Sequence, residues 1–288
     1  MTQIILSGLL LGGIYSIVSY GLTLVFGVIR IINFAHGSLL MVGMFFAYYL
    51  TKTLNINVYL TLLIVVPCMF LFGYVIQKYL ISHVLNEPIM QLFLTFGLLL
   101  LLENVALAIT RGDYFSLNLN MSTVKIGDAV MDWARMIIFL ASILIAVILM
   151  VFLHFTNIGI KIRAVSQNRY AAKLIGIKLE RIYPLTFGLG CAVLGIASVL
   201  LVPVYTIFPH VGFSFVIVAF AVVVLGGLGS IPGVLVGGMI IGLLESLTGY
   251  LLSPDLKQLT WYIIFIAVLL FKPAGIFGVV GSEEVGLK

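Results

Sequence analysis

The chain is poor in charge. Only 9% of its 288 residues are Asp, Glu, Lys or Arg, against about 25% in soluble domains. So few charges cannot clothe a water-soluble surface. Hydrophobic residues make up 62% and mean hydropathy is +1.27, so lipid must solvate what a core of this length cannot hide. Cysteine is almost missing. Cys68 and Cys191 lie inside apolar runs, which argues against a disulfide framework and against metal spacing. The sequence has no GxxxxGK[ST] stretch, so it cannot cradle ATP phosphates by itself. It has no nucleophile–base pair and no ligand cluster. The net charge of +5 sits in loops and offers nucleic acid no basic face. Only Met1, Thr2 and Gln3 precede the first apolar run. It lacks a basic flank and a cleavage site, and reads as a retained helix, not a signal peptide.

What is present is a series of apolar runs, at about 4–28, 31–50, 58–76, 89–109, 136–154, 183–203, 214–227, 234–252 and 259–271. They predict an all-α, polytopic transmembrane helical bundle, one transmembrane domain over 1–288. About eight spans are expected, with broken or re-entrant helices near 31–50 and 214–233, because several runs are shorter than the roughly 20 residues of a full crossing. Small residues four apart, at Gly8/Gly12, Gly233/Gly237 and Gly238/Gly242, mark faces for close helix packing. The loop 111–132 carries two segments, 114–119 and 123–126, that could pair as short strands. Residues 25–46 and 224–245 echo each other, each a glycine-marked break followed by a glycine-containing helix, as in repeat-built transporters.

One substantial basic loop, 155–184, carries Lys161, Arg163, Arg169, Lys173, Lys178 and Arg181. Placing it in the cytoplasm puts Arg30, Lys78, Lys272 and Lys288 on the same side and leaves Lys52, Arg111, Lys125, Arg135 and Lys257 outside. That two-to-one bias is the one the positive-inside rule requires, and it predicts N-out, C-in. Within the loop Asn168 is a helix N-cap, 169–175 makes two turns, and Gly176 stands where a left-handed C′ residue belongs. Tyr170, Ala171, Leu174 and Ile175 form one apolar stripe. So short a helix is unstable alone in water and needs a surface, either the membrane interface or a partner.

Polar groups inside the spans are few. Each costs about 2.5–3.5 kcal/mol at the bilayer centre on insertion scales. Asn33 and His36, three apart, are expected on one face at the start of the second run, as gate-lining groups or as a cap with an interfacial histidine. Glu103 and Asn104 fall in the outer third of the fourth run, and Glu245 in the outer half of the eighth. Each carboxylate lines a path or is a hydrogen-bonded packing group.

The stretches 21–43 (GLTLVFGVIRIINFAHGSLLMVG), 159–187, 224–238 (VLGGLGSIPGVLVGG) and 269–278 (LLFKPAGIFG) resemble, in order, segments of the LivH-type permease subunit of branched-chain amino acid ABC importers. The resemblance implies a bacterial or archaeal multi-pass subunit of the cytoplasmic membrane, not itself an enzyme. It also implies a second, LivM-like permease, two ATPases that hold the ATP and Mg, an extracytoplasmic binding protein, and no cofactor on this chain. It makes Arg163, Asn168, Ala171, Ala172, Leu174 and Gly176 the ATPase-coupling residues. The glutamate that often precedes the two alanines is Tyr170 here. Branched-chain or related amino acids are the expected solutes. Close relatives carry urea or short amides, and an ion-coupled secondary transporter using Glu103 or Glu245 is the reading from another class.

Overall fold

The computed structural model describes residues 1–85, 87–117, 123–126 and 129–278. Its long helices are α1 (Thr2–Ile29), α2 (His36–Leu54), α3 (Leu62–Tyr79), α4 (Pro88–Thr110), α5 (Trp133–Phe155), α8 (Leu179–Leu201), α9 (Val211–Gly226), α10 (Ile231–Leu251) and α11 (Lys257–Phe271). Two shorter ones, α6 (Asn157–Gln167) and α7 (Arg169–Leu174), occupy the basic loop. Seven helical segments among the described residues are long and apolar enough to cross a membrane; α2 and α9 are the other apolar helices. An even number of crossings would return the chain to its starting side. The expected N-out, C-in arrangement therefore goes with seven crossings, or with nine if α2 and α9 are counted, and not with eight. Lys288, used in that charge count, lies outside the described residues.

Burial separates centre from rim. α1 and α8 are buried along most of their length, whereas α3, α4, α5 and α11 leave most apolar side chains exposed or half-buried. Leucine and phenylalanine facing outward are what lipid contact requires. The glycine pairs bring the centre together: a Cβ at Gly12 would stand 2.6 Å from Met239 Cα, and one at Gly242 would meet Gly12 Cα at the same distance. The Gly8/Gly12 and Gly238/Gly242 pairs thus pack α1 on α10, backbone against backbone. Gly233 and Gly237 bring α10 onto α9 at Gly226. Gly73 takes the thiol of buried Cys191 where α3 packs on α8.

The strand expectation needs correcting. Thr123–Ile126 (β1) pairs antiparallel with Ala129–Asp132 (β2), the nearer segment, which closes a two-residue connection at little entropic cost. Phe115 bridges instead to Ile207, each amide donating to the other's carbonyl at 2.8–2.9 Å. Residues 118 and 119 of the expected strand lie outside the described residues. The first part of the basic loop is helical, as α6. Its start is capped by Thr156 Oγ1, which accepts from Gly159 N at 3.0 Å, and it buries Ile162 and Val165.

The second run holds the main surprise. Helix α2 starts five residues later than the apolar run does, because residues 30–35 turn back along α1. Arg30 ends α1 in the left-handed conformation (φ 59°, ψ 41°). His36 Nε2 then lies 2.9 Å from the carbonyl of Val18. Val18 is eleven residues before Ile29, so α2 begins about 16 Å back from the end of α1. Six residues can reach at most roughly 20 Å, enough for the return. Thr95 Oγ1, well inside α4, donates to Ile32 O at 3.2 Å and pins the returning segment.

Candidate translocation path and coupling surface

The start of α2 meets the start of α9. A Cβ on Gly37 would lie 2.6 Å from the carbonyl carbon of Gly212, and one on Gly212 would lie 2.8 Å from Ser38 N. From this crossing the two helices diverge. α2 runs toward the end of α8, where Ser198 Oγ donates to Leu40 O at 3.0 Å. α9 runs toward the end of α1, where Gly229 N donates to Thr23 Oγ1 at 3.1 Å. Neither helix start has a side-chain cap. Two positive dipole ends therefore converge inside the bundle, a geometry that attracts anionic groups at depth. The Ser38 hydroxyl at this crossing is buried and unpartnered.

The echo between 25–46 and 224–245 reflects a different geometry in its two halves. Both stretches are helix, break and helix, but the first break is a six-residue return and the second a tight turn at 227–230. By position in the bundle, the counterpart of α2 is α9.

Asn33 and His36 do not share a helical face. Asn33 precedes α2, and its Oδ1 accepts from Ala35 N at 3.1 Å, an Asx turn that steers the chain into the helix. His36 is the first residue of α2 and is buried, not interfacial. Glu103 belongs to a polar stripe on the inner face of α4, with Gln91, Thr95 and Thr110. Its Oε2 accepts from His210 Nδ1 at 3.0 Å, while Oε1 is buried without a partner. His210 immediately precedes α9, so this carboxylate stands beside the α2–α9 crossing. Asn104 is turned to the exposed side of α4, where its Nδ2 donates to Leu100 O at 2.7 Å. Glu245 lies apart from these groups. Its Oε2 accepts from Tyr15 Oη at 2.6 Å and Trp261 Nε1 at 2.5 Å, tying α10 to α1 and α11.

Sequence reading missed His210, Ser38, Tyr15 and Trp261. The stripe Gln91–Thr95–Glu103–Thr110 was available as helical spacing inside an apolar run; the cross-helix partners carry no local signal.

The coupling loop forms as its caps dictate. Asn168 Oδ1 accepts from Tyr170 N and Ala171 N, both at 3.0 Å, and Gly176 adopts φ +86°. Tyr170, Ala171, Leu174 and Ile175 all stand exposed, Leu174 at 89%. Ala172 faces the other way, buried against its own chain. Arg163 Nε donates to Leu153 O at 2.8 Å and ties α6 to the end of α5.

A bundle with lipid-facing rim helices and two helix starts meeting at depth has the build of a membrane permease. The family profile described as "Branched-chain amino acid transport system / permease component" matches residues 4–269, and the chain belongs to that family. It is 30% identical over 300 residues to the "High-affinity branched-chain amino acid transport system permease protein LivH" of Salmonella typhimurium, covering 98% of this chain and 97% of that protein. To BraD of Pseudomonas aeruginosa, described in the same words, it is 29% identical over 299 residues, with the same coverage. To the "Probable branched-chain amino acid transport permease protein LivH" of Methanocaldococcus jannaschii it is 30% identical over 283 residues, covering 91% of this chain and 88% of that protein. No solved structure matches. The chain is thus a multi-pass membrane protein and the permease component of an ABC transport system, with no ATPase activity or cofactor of its own. Such a system implies ATPase and binding-protein partners.

Proposed function

We propose that this chain pairs with a second, LivM-like permease, two ATPases and an extracytoplasmic binding protein to import branched-chain or related apolar amino acids, in the orientation N-out, C-in. The carrying observation is the capped helix α7, with Tyr170, Leu174 and Ile175 bare to water. An apolar face on so short a helix is stable when a partner covers it. Ala171 and Leu174 would touch the ATPase, Asn168 and Gly176 would hold the helix ends, and Ala172 and Arg163 would anchor the loop to the spans. Nucleotide-driven closure of the ATPases supplies the differential affinity that moves the permease between states.

The path passes the α2–α9 crossing. Asn33 and His36 set the start of α2, and the helix dipoles and Ser38 favour the solute carboxylate. Glu103, with a free carboxylate oxygen, favours its ammonium group. A nearby cavity of about 500 Å³ lined by Leu22, Phe34, Ile217, Phe220 and Phe265 suits a branched apolar side chain. Asn104, on the exposed side of α4, lies off this path, and Glu245 clamps three helices away from it.

The test is reconstitution with the ATPases and binding protein in liposomes. Leucine uptake should require ATP and all partners. Uptake by the isolated chain under an ion gradient would replace this reading with secondary transport; uptake of urea in place of leucine would reassign the solute.

A further inference from the structure

A second cavity, of about 520 Å³, opens where α1 ends, between α5, α6 and the α9–α10 turn. Its cationic side is Arg30 and Arg163, with the His154 ring beside them. No carboxylate among the described residues lines it. The ion pairs among the described residues are Arg135–Asp132 and His210–Glu103, and neither reaches these arginines. Arg163 commits its Nε to Leu153 O and keeps both terminal nitrogens for other partners. Arg30 holds a left-handed backbone that a non-glycine residue rarely adopts. The end of α1 supplies only about half a negative charge. Two permanent cations beside lipid-facing helices thus lack a counter-charge among the described residues.

The rest of the cavity is mixed, with Thr23, Ser166, Gln167 and Ser230 as polar groups beside one apolar wall. Val28, Met150, Leu153 and Leu228 form that wall. The neighbouring surface carries exposed Phe155, Ile158 and Ile160 beside exposed Lys161, the mixture an element lying in the membrane interface shows. A hydrated inorganic anion gains nothing from such a wall. An anionic headgroup with an acyl chain uses both halves, and basic pockets between spans are where such headgroups bind.

We propose that this cavity binds the phosphodiester headgroup of an anionic phospholipid. Arg30 and Arg163 meet the phosphate, and the wall of Val28, Met150, Leu153 and Leu228 takes the start of the acyl chain. The site is distinct from the α2–α9 crossing and from the exposed face of α7, and it stands whether or not the importer reading does. A lipid seated there would brace α6, which leads directly into α7, against the end of α1.

The test is native mass spectrometry of the purified full chain in detergent, with phosphatidylglycerol or phosphatidylcholine added at matched concentrations. Phosphatidylglycerol should be retained preferentially, by about fivefold for each arginine engaged. Arg30→Gln should lower that preference about fivefold, Arg163→Gln likewise, and Arg30→Lys should keep most of it. Equal retention of the two lipids by the wild-type chain would overturn the proposal, whatever the variants do. Unchanged preference in both glutamine variants would place the lipid elsewhere and overturn it too. Displacement by inorganic phosphate at millimolar concentration would reassign the site to a free anion.

Discussion

At the residue scale, the buried carboxylates differ in what they are attached to. Glu245 receives two donors from two other helices. Truncating it leaves Tyr15 and Trp261 with buried donors unpaired, at about 1–3 kcal/mol each. Glu245→Ala should lower the melting temperature of the purified chain, and Glu245→Gln, which still accepts, should lower it less. Equal melting of the alanine variant and wild type would remove the clamp role. Glu103 has one oxygen held by His210 and one free. If its charge meets the solute ammonium, Glu103→Gln should lower ATP-driven leucine uptake by about tenfold or more, a charge-assisted bond of about 1.5–3 kcal/mol being lost. Binding-protein-stimulated ATPase should persist, and Glu103→Asp should recover part of the uptake. Undiminished uptake in the glutamine variant would confine Glu103 to packing.

At the element scale, α7 is specified locally and completed externally. Removing its cap by Asn168→Ala should cost about 0.5–2 kcal/mol of local stability. Leu174→Asp changes a side chain that is 89% exposed, so insertion should be normal while copurification of the ATPases and leucine uptake fall together. Normal copurification would mean that the ATPases dock elsewhere. The crossing of α2 and α9 answers to the opposite rule, since it has no spare volume. Gly37→Leu would drive a side chain into the Gly212 backbone. Overpacking typically costs about 1–3 kcal/mol, and here the obstacle is main chain. That variant should melt lower even with ATPase docking intact, which a melting curve beside a pull-down distinguishes.

At the scale of the whole molecule, orientation is the open quantity with a direct measurement. A cysteine at Lys173 should be labelled by a membrane-impermeant maleimide only in inside-out vesicles, and one at Lys125 only in right-side-out ones, with Cys68→Ser as background and Cys191 already buried. The reverse pattern would invert the chain and move α7 away from any cytoplasmic ATPase. Much of the bundle was legible from composition and runs: the long helices begin and end near the apolar boundaries. The boundary that misled was Ile31. Residues 31–35 are nearly as hydrophobic as a helix start, yet non-helical backbone is tolerated there because the chain around it satisfies its polar groups, as Thr95 does for Ile32.

The sequence by itself determined the membrane class, the family, the charge bias and the capped helix α7. Each is written in composition, in order along the chain, or in side chains within a few residues of what they bond. Only the tertiary structure decided that α2 and α9 start against each other, that Glu103 meets His210 across 107 residues and Glu245 meets Tyr15 across 230, and that Arg30 and Arg163 share a cavity. Hydrophobicity drives apolar segments into lipid without saying which faces meet. That choice falls to the glycines, where backbones come close enough for main chain to touch main chain, and to the few buried polar groups, which must find partners on whatever helix packing brings near.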